Sequence, residues 1–262
     1  MQKNRFYYIL EIQYLGFRYH GWQRQPNVLT VEKMVRKTLN FVLPRHQPKV
    51  LACGRTDAKV SVEQTYIELF TEIPLENLDH FFDVFNQNLP ADIRLLSIRE
   101  TDAQFNIIQS PKIKEYHYYF AHGEKFHPFS AAFMCHHPNM LDIELMQSLA
   151  PLFAGTRDFY SYTFRPNPET QTIATVDHAE LTKNTNFTAS FFPENSYVFK
   201  VKGNGFKRNQ IRLMMGALFD VGSKEMSEDT FKSTLEGSNR IKLTNIAPPS
   251  GLILEKVHFV DE

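Results

Sequence analysis

Cys53-Gly54-Arg55-Thr56-Asp57-Ala58 lies between two apolar runs, Val50 to Cys53 before it and Val60 to Phe70 after it. The runs read as strands, and Gly54 to Lys59 reads as the tight polar turn that joins them. Such a turn holds Asp57 near the end of a strand, where a rigid element commonly presents a reactive group. An ordinary turn fits the same residues, because Asp and Thr side chains bond nearby backbone groups in turns. From this stretch alone both readings stand.

Outward from it, Phe6 to Tyr14 alternates as a strand does, and a polar, aromatic loop runs from Gly16 to Pro26. Thr30 is placed to N-cap a helix from Val31 to Leu43. A helix is predicted over Leu78 to Leu89, with Leu78, Phe81, Phe82 and Phe85 turned inward, and a strand over Ile93 to Ile98. Asn106 to Glu115, with Pro111 inside it, is the candidate linker. In the second half, strands are predicted at Tyr116 to Ala121, Ile173 to Leu181, Phe187 to Phe192, Tyr197 to Lys202 and Leu252 to Val260. Helices are predicted at Ile143 to Phe153, Phe206 to Val221 and Glu228 to Leu235. Strands and helices in mixed order within each half predict an α+β fold of two similar lobes, 1–105 and 106–262, with a mixed, mainly antiparallel sheet and helices packed on it.

The chain has 262 residues, 42% hydrophobic and 22% charged, which suits a packed core rather than disorder. No apolar run approaches the ~20 residues of a membrane span. Two cysteines, Cys53 and Cys135, make no disulfide framework, and a reducing cytoplasm is the expected compartment. The net charge is zero, yet residues 1–60 hold eleven Lys/Arg and three Asp/Glu, a net of +8. Asn195 to Phe219 adds Lys200, Lys202, Lys207, Arg208 and Arg212 without an acid. Two basic segments in a neutral chain fit either a one-sided surface for an anionic partner or scattered solvated charges. Cys135-His136-His137, with His122 and His127, matches no standard zinc spacing, so no metal is expected. Gly203-x-Gly205 lacks the third glycine of a dinucleotide fingerprint.

Gly54-Arg55-Thr56-Asp57-Ala58 resembles the central motif of the TruA family of tRNA pseudouridine synthases. Other segments agree in order: Tyr14 to Gln25 with Gly21-Trp22-Gln23-Arg24-Gln25, Thr30-Val31-Glu32, Asn88-Leu89-Pro90-Ala91-Asp92-Ile93, Tyr116-His117-Tyr118 and Gly155-Thr156-Arg157-Asp158-Phe159. They continue with Gly203-Asn204-Gly205-Phe206, Ile211-Arg212 with Gly216, and Ala247 to Leu254. The resemblance covers nearly the whole chain and implies a homodimer with an RNA cleft between its lobes, acting on tRNA without cofactor. It implies Asp57 as the catalytic carboxylate and Arg55 as the arginine that helps hold a flipped-out nucleotide. It further implies Tyr116 as the tyrosine that packs on the target base, Arg212 as the arginine paired with the carboxylate, and Leu252 as part of the apolar side of the pocket. Arg18, Arg24, Lys33, Arg36, Lys37, Lys207 and Arg208 are then candidates for an RNA-facing wall that contacts phosphate.

The chain departs from the family pattern at three places. Lys59-Val60-Ser61 stands where Gly-Val-His is usual, Phe105 to Gln109 lacks the His-Ala-Arg-Phe pattern, and Leu213 follows Arg212 where Asn is common. These departures put the target uridine in question and leave three expectations. The chain is a synthase for the tRNA anticodon arm (positions 38–40), a divergent paralogue acting on another RNA site, or a non-catalytic RNA-binding protein of the same fold.

Overall fold

The computed structural model describes residues 5–237 and 239–260. The fold is α+β with a mixed, mainly antiparallel sheet. The chain divides into two units, one running to Pro111 and taking in the chain from Leu254 onward, the other running from Lys112 to Ile253. The last strand from Leu254 on groups with the first unit.

The first unit is built on β1 (Phe6–Tyr14), which pairs antiparallel with β3 (Ser61–Thr71) on one side and β4 (Ile93–Thr101) on the other. β2 (Lys49–Ala52) pairs with β3, so the chain that carries Gly54 to Val60 is a connection between two paired strands. α1 (Val31–Val42) and α2 (Leu78–Asn88) pack on each other. Thr30 caps α1 by accepting the Lys33 N–H, and Asn77 caps α2 by accepting the His80 N–H. Each cap satisfies one of the backbone donors that a helix start leaves orphaned. Phe81 and Phe85 are buried as predicted, one turn apart, whereas Leu78 and Phe82 are only half-buried at the edge of that stripe. The expected linker is largely structured. The Asn106 carboxamide oxygen accepts the Ile108 and Gln109 N–H groups at 3.0 and 3.1 Å, and Lys112 already begins a strand.

The second unit has the strand order β5 (Lys112–His122), β9 (Tyr197–Gly203), β8 (Ile173–Lys183), β7 (Gly155–Asp158), all antiparallel, with the short β6 (Cys135–His137) parallel to β5. α3 (Ile143–Leu149) packs on the buried α4 (Gln210–Gly222), which is followed by α5 (Glu228–Ser233). β10 (Leu252–Phe259) ends the described fold.

Three elements differ from the sequence-based expectation. Phe187 to Phe192 is not a strand: Asn184 accepts the Phe187 N–H and donates to its carbonyl, turning the backbone. Phe187 and Phe192 instead bury their rings against Tyr119, Met134 and Val198. The helix from Ile143 stops at Leu149 and tightens into a 3-10 turn over Ala150–Phe153, because Pro151 has no N–H to continue it. The helix expected from Phe206 begins at Gln210, because Asn209 takes a left-handed φ of 59°, which breaks the helical repeat and which Asn tolerates.

Candidate active site

Asp57 is half-buried in the β2–β3 connection. Its loop is gripped by the loop that follows β1. The Trp22 N–H donates to the Thr56 carbonyl at 3.2 Å, and the Lys59 N–H donates to the Tyr19 carbonyl at 2.9 Å. The hydroxyls of Tyr14 and Thr56 are hydrogen-bonded at 2.8 Å, and the buried Trp22 ring lies 6.3 Å from that of Tyr14. Gly21 brings the two loops together at φ +85°, and a Cβ there would stand 2.5 Å from the Thr56 oxygen and 3.2 Å from the Asp57 carbonyl carbon. The gripping loop is in turn fixed to α1, whose Val31 and Glu32 N–H groups donate to the Gly21 and Trp22 carbonyls. The free donors of a helix start thus anchor the backbone that positions the carboxylate.

The two changed residues of the first departure each have a local role. Lys59 holds φ +66°, the left-handed conformation a glycine takes without strain, and its ammonium lies 5.7 Å from the Phe17 ring centroid. Ser61 replaces an imidazole and uses its buried hydroxyl to accept the Gly16 N–H at 2.9 Å. Both substitutions leave the turn closed.

Asp92 braces the same loop from the start of β4. It accepts from the Arg18 guanidinium through both oxygens and from the buried Tyr19 hydroxyl at 2.7 Å. Burial alone would raise the Asp92 carboxyl, but the hydrogen bonds from Arg18 and Tyr19 outweigh it and hold it below the ordinary carboxylate value of 3.8. A depressed pKa gives stability that is present in full above the unfolded value and is lost as pH falls through the folded one. Asp92→Asn should therefore lower the unfolding free energy by about 1 kcal/mol at neutral pH. The difference from wild type should vanish in acid. Urea titrations at both pH values check this, and a gap that persists in acid would show the loss to be one of packing.

In the second unit, Tyr116 is half-buried on β5, edge-on to Phe206 at 5.5 Å between centroids. Arg212 sits on the first turn of α4. Its Nε donates to the Ala247 carbonyl at 2.7 Å and its Nη1 to the Asn209 oxygen at 3.1 Å, so the guanidinium plane is fixed. The left-handed Asn209 that delays α4 is thus also what holds Arg212. Leu252, buried, opens β10.

The basic candidates separate into two groups. Arg18, exposed, is bonded to Asp92, and Arg36, half-buried, pairs with Glu32 and donates to the Val50 carbonyl, so both also hold the first unit together. Arg24, Lys33, Lys37 and Arg55 are exposed, as is Arg208, whose guanidinium lies over the Phe164 ring at 5.2 Å; Lys207 is half-buried. Among the described residues no group of His, Cys, Asp and Glu side chains gathers as a metal site, and no helix is long and apolar enough to cross a membrane.

A family model described as tRNA pseudouridine synthase matches residues 149–260. A tRNA pseudouridine synthase A from Exiguobacterium sibiricum is 32% identical over 252 residues, covering 95% of this chain and 94% of the relative. The chain belongs to the tRNA pseudouridine synthase A family. Namesakes from Listeria innocua and Thermodesulfovibrio yellowstonii are 30% and 28% identical, each over 95% of the chain and covering 97% and 98% of their own lengths.

Several residues that set the geometry of the synthase's loops escape motif reading. Tyr14, Tyr19, Trp22 and Asp92 lie inside the quoted segments, yet nothing local marks them as supports for residues 54–59. Their partners are 42 residues away for Tyr14 and 73 for Tyr19. The Gly21-Trp22 pair was the available signal, because a glycine beside a lone tryptophan in a polar loop marks close backbone approach.

Proposed function

We propose that the synthase isomerises uridine to pseudouridine in the anticodon stem-loop of tRNA, at positions 38–40, with Asp57 as the catalytic carboxylate. The reaction breaks the N1–C1′ bond, turns the uracil and joins C5 to C1′; the C5 proton leaves and N1 gains one. No electrons are exchanged, so neither metal nor organic cofactor is needed. The observation that carries the reading is a half-buried carboxylate on a loop pinned at Thr56, Gly21 and Lys59, in a chain related over 95% of its length to tRNA pseudouridine synthases A. A pinned loop spends no free energy on orientation when substrate arrives. Tyr116 offers an aromatic face to the uracil, Arg212 a guanidinium of fixed orientation, and Leu252 an apolar wall. Arg55, exposed beside Asp57, takes the place of the nucleotide drawn out of the stack and contacts phosphate. Arg24, Lys33, Lys37, Lys207 and Arg208 supply phosphate contacts that bind a stem-loop by shape, and Arg18 and Arg36 act by holding those surfaces in place. The protein works in the cytoplasm, as a homodimer.

Deleting the gene and mapping pseudouridine across cellular RNA tests this directly. The modification should disappear from positions 38–40 of several tRNAs and return with the wild-type gene but not with Asp57→Ala. Loss at another RNA site would establish the divergent paralogue that Lys59, Ser61 and Leu213 hint at. A map that does not change would leave only RNA binding.

A further inference from the structure

The start of α4 departs from those of the other α-helices. Thr30, Asn77, Asp142 and Ser227 stand at the N-caps of α1, α2, α3 and α5, and each accepts an N–H of the first turn. Asn209 holds the same position on α4 and makes no such bond among the described residues, although Asn is a preferred capping residue. Its backbone differs too. At φ 59° and ψ 6° it is left-handed, a conformation that strains any residue except glycine, Asn less than most. The Asn209 carbonyl still accepts the Leu213 N–H at 2.9 Å, so the helical ladder begins normally and only the side chain is diverted.

That side chain goes to Arg212. Its oxygen accepts Nη1 at 3.1 Å, while the Ala247 carbonyl accepts Nε at 2.7 Å, and the Ala247 N–H returns a bond to the Arg212 carbonyl at 3.0 Å. Acceptors on two nitrogens of a planar guanidinium stop its rotation. Both acceptors are neutral, so they orient the charge without cancelling it. The charge lies on the first turn of a helix, where the macrodipole is already positive and no acidic residue offsets it. A guanidinium held against that field favours an anion in front of it.

The strained residue is fixed from both sides. Phe206, three residues earlier, is set edge-on against Tyr116. The Gln210 carboxamide oxygen accepts the Lys207 N–H at 2.8 Å, and the Gln210 N–H donates to the Lys207 carbonyl at 3.0 Å. A left-handed residue other than glycine persists where its surroundings over-determine it, and such residues gather at working sites.

We infer that Asn209 is a positioning residue of the synthase. It forgoes the helix cap to orient the Arg212 guanidinium through a neutral acceptor, which leaves the charge of Arg212 for the reaction. This rests on the reading of Arg212 as part of the active site.

The test measures steady-state isomerisation of tRNA and thermal midpoints for the full-length protein. Asn209→Gly removes the acceptor and takes φ 59° without strain. Its midpoint should stay within about 2 °C of wild type, while kcat falls about tenfold and KM for tRNA changes less than about twofold. Asn209→Asp keeps an acceptor but adds a carboxylate at a helix start. It should raise the midpoint and still lower kcat about tenfold, because it cancels the charge it orients. Arg212→Lys should lower kcat about 30-fold. Asn209→Gly added to Arg212→Lys should cost less than about a further twofold, because no guanidinium remains to be oriented. Wild-type kcat in either Asn209 variant, with Arg212→Lys impaired, would overturn the inference and leave the reading of Arg212 intact. A further tenfold loss in the double variant would overturn it as well, since Asn209 would then support the turn and not the arginine. Full activity in Arg212→Lys would instead remove Arg212 from the site, and the inference with it.

Discussion

Asp57→Asn is expected to lower the single-turnover rate of pseudouridine formation by at least about 10⁴-fold while leaving tRNA affinity within about threefold of wild type. The amide nearly matches the carboxylate in shape, so packing in the turn is kept. The Trp22 to Thr56 and Lys59 to Tyr19 backbone bonds that hold the loop do not involve the side chain. What the variant loses is the negative charge, and with it either a nucleophile or the group that stabilises cationic character at the ribose. A uridine tritiated at C5 reports the event, because the isomerisation must expel the C5 hydrogen to solvent. Release at more than about a tenth of the wild-type rate would remove Asp57 from the chemistry. Asp57→Ala, run alongside, guards against slow deamidation of the asparagine back to an acid. Loss of tRNA binding together with activity would assign the residue to RNA contact instead.

How far the sequence discloses this depends on the range of the interactions involved. Elements set by local rules are legible: the alternation of Phe6–Tyr14, the Thr30 cap and the Phe81/Phe85 stripe all appear where their spacing places them. Elements set by tertiary competition are not. The Phe187 to Phe192 rings satisfy a strand's composition, but the Asn184 carboxamide captures the Phe187 backbone and the rings find burial without a ladder. The α4 start is misplaced by four residues because an Asn that reads as helix-neutral takes a left-handed turn and uses its side chain to hold Arg212. The motif 54–58 is likewise legible as a string, while the grip that makes it rigid depends on a loop more than 30 residues upstream. Of the seven cations read as an RNA wall, Arg18 and Arg36 sit in the richest basic stretch, yet their carboxylate partners are Asp92, distant in sequence, and Glu32, one turn away. Counting charge does not show that these two arginines hold carboxylates of the fold, which the structure does.

Gly21→Ala should damage both stability and rate, and Gly155→Ala is its control. Both glycines have positive φ, +85° and +100°, so alanine pays the left-handed penalty of about 1–2 kcal/mol at each. At Gly155 nothing lies within 4 Å of the added Cβ, and the cost stops there. At Gly21 the Cβ would stand 2.5 Å from the Thr56 oxygen, a backbone atom with no rotamer by which to retreat. Either the Trp22 to Thr56 hydrogen bond opens or the 54–59 loop is pushed away, adding roughly 1–3 kcal/mol. Unfolding by urea should therefore show Gly21→Ala less stable than Gly155→Ala by about that margin. The kinetic effect should be larger than the thermodynamic one. A displacement of ~1 Å at a positioned catalytic group costs on the order of 10²-fold in rate, so kcat should fall about 100-fold in Gly21→Ala and stay at the wild-type level in Gly155→Ala. Equal kcat in the two variants would mean that the grip of the Gly21 loop on residues 54–59 has no part in presenting Asp57. The carboxylate would then owe its position to the β2–β3 connection alone.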